Sequence, residues 1–396
     1  MTQITLSSVQ AQSLLLLEHE SFIGERDQIE GVARRFLERD TRWSIRRVNV
    51  AIEPLPSMPG NYIAISSGNY GLDALSTIKK QNGNGITIWV SHQVLDGLKA
   101  RVKQEAGVQG IDVIALPGTA IDAYQAEALA RGGSCVLRTM GVSHTMTRIG
   151  SIEAYQAMRN QFPIASRYLL VVLGGDTQST CGQHWRYYSE KEARYLAEYV
   201  ADWMQREPLT LLVSNGPRTG KFEPLSGKER IGVHRNGVAD PVTQVFMQVL
   251  RQRKIAASLI DFHYEDTHGI RLNALLGAIA SHPDSYALLP GESSSMIAQA
   301  LAVLPKGSLT LFSHSAMNEV HYREFAALHT YGLVGILKLA QDQYLAQPSH
   351  GNSIVYQEAA AQIVDAIYGS GNTPTLVNCF TSEALTLPPL TRTIQH

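Results

Sequence analysis

Several features are scarce in this 396-residue chain, and each scarcity excludes something. An excess of charge of either sign is absent: 34 Lys and Arg against 35 Asp and Glu leave a net charge of -1. That balance gives no broad electrostatic reason to bind nucleic acid or an anionic membrane. Cysteine is scarce: Cys135, Cys181 and Cys379 lie far apart and form neither a disulfide framework nor a zinc pattern, so a reducing compartment is expected. No stretch approaches the ~20 apolar residues that a bilayer span needs. The opening "MTQITLSSVQAQSLLLLEHE" has a four-leucine run but no basic leader, so no secretory signal is expected. The expectation is a cytoplasmic chain, free or peripheral to a membrane. G-x-S-x-G, P-loop and G-x-G-x-x-G patterns are missing too, against an elbow-type serine hydrolase, a P-loop NTPase and a standard dehydrogenase.

What is present is ordinary globular composition, with 44% hydrophobic and 17% charged residues. The length suits two domains of ~100–200 residues each. Short apolar runs alternate with helical patterns, as in parallel α/β architecture. Strands are predicted near 45–51, 62–66, 86–91, 111–116 and 134–138, then near 167–173, 209–214, 256–262, 286–289 and 308–312. Helices are predicted near 26–39, 71–80, 93–106 and 121–131, then near 190–206, 241–253, 270–281, 294–304 and 319–329. Residues 355–368 read as a last helix with no strand after it. The expected fold is two facing Rossmann-like, doubly wound domains, residues 1–150 and 151–350, with 351–396 as a helix and tail that pack back on the first. Ligands of such sheets bind beyond the carboxyl ends of the strands.

Three strand ends of the second half carry loops of one character. They are "LGGDTQST" from Leu173, "SNGPRTG" from Ser214 and "PGESSSM" from Pro290. In a parallel sheet all three emerge on one edge. Gly174 and Gly175 would offer close N–H groups to an anion, with Asp176, Thr177 and Gln178 following in the same loop. Arg218, between Asn215 and Thr219, would pair bidentately with phosphate. Ser293, Ser294 and Ser295, between Gly291 and Met296, would open a helix whose dipole favours the same charge. Glu292 would accept hydrogen bonds from ribose or sugar hydroxyls. In the first half "SSGNYG", Ser66 to Gly71, is a further anion or hydroxyl contact; His92 and His144 near strand ends, and Asp73, are candidate general bases. "DFHYEDTHG", 261–269, crowds His263, Glu265, Asp266 and His268 without a known metal spacing; a polar loop in which Asp266 or His268 touches ligand is expected, and no metal.

The series "YIAISSGNYG", "MGVSHTMT", "YLLVVLGGDTQS", "LLVSNGPRTG" and "YALLPGESSSMIAQAL" resembles, in order and at compatible spacing over roughly 60–340, the ELM-type mitochondrial fission family with its bacterial members. That resemblance implies a GT-B-like glycosyltransferase fold with a nucleotide-diphosphate-sugar site on the second domain. By it, "LGGDTQS" lies near the diphosphate and "PGESSSM" near the sugar or ribose. The chain departs from the family in having Glu292 for an Asp and Pro217 for an Arg. The implied activity is metal-independent sugar transfer from a nucleotide sugar, with no further cofactor, to an acceptor that the sequence does not name. A nucleotide-sugar epimerase or hydrolase of the same fold, and a non-catalytic interaction protein in membrane fission, are the alternatives.

Overall fold

The computed structural model describes residues 12–58, 60–103, 109–179, 184–235, 237–266, 269–348 and 354–369. Two compact units divide the chain: Met1–Thr145 with Gln357–His396, and Met146–Tyr356.

Unit one runs β1 (Gln12–Glu18), α1 (Ile23–Arg39), β2 (Trp43–Asn49), β3 (Tyr62–Ser67), α2 (Gly68–Gln81), β4 (Ile86–Val90), α3 (Asp96–Lys103), β5 (Val113–Pro117), α4 (Ala123–Arg131) and β6 (Cys135–Thr139). Its six strands form one parallel sheet in the order β2-β1-β3-β4-β5-β6. The four-leucine run is the heart of this sheet, not a featureless apolar stretch. Strand alternation sends Leu14 and Leu16 into one core with Ile29, Val32 and Phe36 of α1. Leu15 and Leu17 enter the opposite core with Leu72, Leu75 and Ile78 of α2. A strand covered on both faces has no polar alternation, which is why it reads as a bare apolar run.

Unit two runs α5 (Arg148–Ala157), β7 (Tyr168–Val172), β8 (Thr177–Gln178), β9 (Trp185–Arg186), α6 (Glu190–Arg206), β10 (Thr210–Ser214), α7 (Pro241–Gln252), β11 (Ala257–Ile260), α8 (Leu272–Ser281), β12 (Tyr286–Pro290), α9 (Ser294–Val303), β13 (Leu309–Phe312), α10 (Glu319–Thr330), β14 (Gly335–Ala340) and β15 (Gln343–Gln347). Its main sheet has the order β11-β10-β7-β12-β13-β14-β15, parallel except for the β14–β15 hairpin. Helices α8 and α9 cover one face, and α6 and α7 the other. Both units are therefore doubly wound, Rossmann-like α/β folds.

The structure adds β1, α5, β8, β9, β14 and β15 to the elements expected from sequence, and the main sheet of each unit exceeds five strands. The β14–β15 turn uses Gln341 and Asp342, both at positive φ, in place of the glycine or asparagine that would have announced it. The final helix, α11 (Ala359–Tyr368), belongs to unit one. Its Ile363, Val364 and Ile367 join the α1 core, and Trp43 donates to the Tyr368 hydroxyl at 2.8 Å. Glu358 at its start accepts from Arg35 at 2.6 Å. Cys135 is disulfide-bonded, contrary to the expectation of separate thiols; Cys181 and Cys379 lie outside the described residues. No helix among the described residues is long and apolar enough to cross a membrane.

The double-sided burial of β1 has a measurable consequence. Leu15→Ala or Leu16→Ala should each destabilise unit one by about 2–5 kcal/mol, because a cavity is left between strand and helices. Leu225→Ala, at a 99% exposed position, should cost less than about 0.5 kcal/mol in the same urea titration.

Candidate active site

Strand order decides where a doubly wound unit binds. In unit two β7 is followed by β10 on one side, whereas its other neighbour β12 is followed by β13 on the opposite side. The crevice outside the carboxyl ends of β7 and β12 is thus the topological switch point. The three loops singled out in the sequence all emerge there, after β7, β10 and β12. They interlock closely. Asp176 N–H donates to the Arg218 carbonyl at 2.9 Å, and a Cβ on Gly175 would sit 2.9 Å from the Arg218 Cβ. A Cβ on Gly291 would meet the end of the Met317 side chain at 2.8 Å and the Phe325 ring at 3.0 Å, so the loop after β12 also packs closely on its surroundings.

At the centre lies a buried pair. Glu292, 4% exposed, accepts from the Gly175 N–H at 2.7 Å through Oε1 and meets His314 Nε2 at 2.6 Å through Oε2. Burial pushes its carboxyl up, but the His314 charge and hydrogen bond, the Gly175 N–H and the Arg218 charge together hold it below the ordinary carboxylate value. Two expectations are corrected here. The Gly175 amide is committed to a carboxylate of the chain, and both Glu292 oxygens are engaged within the protein, so neither is presented to a ligand. His314, two residues past β13, was missed, although a histidine just after an apolar run is the signal that singled out His92.

Other candidates also prove to hold the loops. Asp176 is fully buried and accepts from Tyr188 N–H at 3.1 Å and Phe222 N–H at 3.0 Å; burial pushes its carboxyl up to about 6. The Thr177 hydroxyl donates to the Ala316 carbonyl. Buried Asn215 donates to Asp240 and Thr243 at 3.0 Å and to Asp261 at 2.6 Å. Thr219 is buried, its hydroxyl accepting from Gly216 N–H at 3.1 Å. The Ser294 hydroxyl turns inward to buried Glu324, and Met296 packs on the core. Sequence alone could not tell a polar side chain facing a ligand from one tying two loops together.

What is left facing outward is Gln178, Arg218 and the first turn of α9. The Arg218 side chain is exposed, and its guanidinium makes no hydrogen bond or ion pair to any described residue. Ser293 is the N-cap of α9, yet its side chain makes no capping bond, and Ser295 is exposed. A guanidinium and a helix N-terminus without a side-chain cap thus lie at one switch point, both carrying positive charge.

Asp261 of the 261–269 loop lies with His234 and Asp240, their donor atoms all within 4.8 Å of one another. The Asn215 amide already donates to both carboxylates, and Asp240 caps α7 through Thr243 N–H at 2.8 Å. The group reads as a loop-to-helix junction. His263 pairs with Asp261 at 3.4 Å, Glu265 with Arg235 at 3.6 Å, and His268 lies outside the described residues.

In unit one, His92 follows β4 and is half-buried, while Asp73 is exposed on α2. His144 is 2% exposed, and its backbone packs so tightly on Gly31 that a Cβ there would collide with it. That burial removes His144 from the candidates for a base that must reach a substrate.

The fold defines a class: a pair of Rossmann-like, doubly wound α/β units. No protein-family model matches the chain, and no curated protein matches it in sequence, so the ELM-type resemblance stands on its motifs alone. Among solved structures, a UDP-GlcNAc 2-epimerase from Methanocaldococcus jannaschii is similar over 89% of this chain and 98% of its own, at 11% identity and a TM-score of 0.40. MurG from Acinetobacter baumannii is similar over 83% and 86%, at 10% identity and a TM-score of 0.39.

Two titrations follow. Glu292 has a depressed carboxyl, so its stabilisation is present above the unfolded value near 4.5 and is lost as pH falls through its folded value. His314→Ala should cost about 3–5 kcal/mol at pH 7, because it leaves the Glu292 charge buried without its partner. Buried Glu324 behaves oppositely: burial pushes it up to about 7, so stability is full below 4.5 and declines as pH rises towards 7. Denaturation of Glu324→Gln between pH 5 and 7 should show a slope shallower than the parent's by up to about 1.4 kcal/mol per pH unit.

Proposed function

We propose that the switch point of unit two binds the diphosphate of a nucleotide-activated sugar, and that the chain is a metal-independent glycosyltransferase. The observation that carries this reading is Arg218: an exposed guanidinium with no hydrogen bond or ion pair to a described residue, packed beside Gly175 and close enough to be felt by Glu292. The uncapped first turn of α9 adds a partial positive charge at the same edge. Sugar transfer needs the leaving diphosphate stabilised as it departs, and a guanidinium with a helix dipole supplies that without a metal. The ordered motif series shared with the ELM-type family supports the same assignment. In this reading the Glu292–His314 pair positions the Gly174–Gly175 loop under the diphosphate and does not touch the sugar.

The test is a panel of uridine, guanosine, adenosine and cytidine diphosphates read by unfolding. One of them should stabilise the chain, by about 2.7 kcal/mol at one hundred times its dissociation constant. Arg218→Ala should abolish that gain while changing the ligand-free stability by less than about 0.5 kcal/mol, as expected at an exposed position. No stabilisation by any of the four, or an undiminished gain in Arg218→Ala, would sink the reading. Incubation with a labelled donor sugar in the absence of acceptor separates transfer from epimerisation or hydrolysis: a transferase leaves the sugar unchanged.

A further inference from the structure

The edge of unit two opposite the switch point holds a cavity of about 530 Å³. Its walls come from the turns that lead into β12 and β13 and from the first residue of α5. Because β12 and β13 run parallel, these turns lie at their amino ends, whereas the loops around Arg218 lie at carboxyl ends. A strand's length separates the two edges, so no small molecule occupies both. The two turns are built alike. Pro283-Asp284-Ser285 and Pro305-Lys306-Gly307-Ser308 each place a proline, then a charged residue, then a serine just before the strand. The prolines fix their own φ, and Asp284 and Gly307 take the left-handed conformation at φ 55° and 87°. The serines are committed to the scaffold: Ser285 Oγ accepts from the Tyr168 N–H at 2.9 Å, and Ser308 Oγ donates to the Pro305 carbonyl at 2.6 Å.

The charges around this cavity are not committed. The side chains of Lys306 and Asp284 make no hydrogen bond or ion pair to any described residue, and Arg148 reaches only the Ala280 carbonyl, at 3.5 Å. Opposite charges thus line one cavity without closing on each other, whereas Arg253, elsewhere in the unit, meets both Glu198 and Asp202. The helix ends nearby add little charge of their own. The last carbonyls of α8 accept from the His282 N–H, the His282 ring Nδ1 and the Ser281 hydroxyl, and the Ala300 carbonyl of α9 accepts from the Leu304 N–H. The His282 ring is fixed edge-on against Tyr155 at 5.6 Å and Tyr168 at 5.0 Å, so the wall it forms is rigid. Two cations and one carboxylate on a concave surface match a ligand of the converse charge, with two acidic groups and one amine.

We propose that the cavity at the amino ends of β12 and β13 binds a free acidic amino acid, its two carboxylates on Arg148 and Lys306 and its ammonium on Asp284. Arg148 takes a carboxylate through its planar fork, and Lys306 takes the other as a point charge. Asp284 accepts from the ammonium, and this contact separates an amino acid from a plain dicarboxylate. The site lies wholly within unit two and stands whether or not the switch point takes a nucleotide.

The test titrates the full chain, at fixed ionic strength, with L-glutamate and L-aspartate, read by ligand-observed NMR. Glutarate and succinate, which lack the amine, and L-glutamine and L-asparagine, which lack the second acid, are the comparison ligands. Glutamate or aspartate should bind, and more tightly than any of the four. Arg148→Gln and Lys306→Gln should each weaken that binding about three- to tenfold. Asp284→Asn, which positive φ tolerates, should bring the amino acid down to the level of its dicarboxylate. All three positions are exposed, so the urea midpoints of the variants should match the parent's. Arg218→Ala should leave the binding unchanged. No binding of either amino acid overturns the proposal. So does binding that survives Arg148→Gln combined with Lys306→Gln, or a dicarboxylate that binds the parent as well as the amino acid does. The nucleotide panel probes the other edge of the sheet, so its failure alone does not touch this site.

Discussion

The candidate site of unit two depends on one buried carboxylate. Glu292 joins the end of β12 to the loop after β7 through the Gly175 amide, and to the end of β13 through His314. A charge in that position is tolerable only because each of its oxygens has a partner, and removing a partner exposes the full desolvation cost. The loops that carry Arg218 and open α9 take their positions from this clamp. The same economy recurs at Asn215, whose amide joins Asp240, Thr243 and Asp261, and at Asp176, which holds Tyr188 and Phe222. Three strand ends are thereby fixed by polar groups that never reach solvent.

Much of the fold was legible because parallel strands covered on both faces concentrate apolar residues into short blocks. "YIAIS", "LTLLVS" and "YALL" each announced a strand in this way, and their order implied parallel sheets. The four leucines of β1 were not read as a strand, for want of a preceding helix or a turn signal to frame them. The β14–β15 hairpin escaped because Gln341 and Asp342 occupy a turn that sequence rules assign to glycine or asparagine. Strand ends were legible, and so was their gathering on one edge of a sheet.

Roles within the site were far less legible. Residue type says that Glu292, Asp176 and Asn215 are polar; it does not say whether they face a ligand or another loop. Only burial and partners decide, and here they assign all three to the scaffold. His314 went unnoticed for the converse reason, being one polar residue in an otherwise ordinary segment. Arg218 lies exposed at the end of β10, as its place between turn residues leads one to expect.

The path of the backbone between the units also bears on how the molecule is made. Unit two is one uninterrupted stretch, Met146–Tyr356, whereas unit one is completed only when α11 returns to cover Phe36 and Trp43. During synthesis the carboxy-terminal unit can therefore close on itself while the amino-terminal sheet still waits, one flank bare, for its last helix. In that interval Ile29, Val32 and Phe36 present an apolar face that a chaperone would hold, and truncation before Ala359 would make the delay permanent.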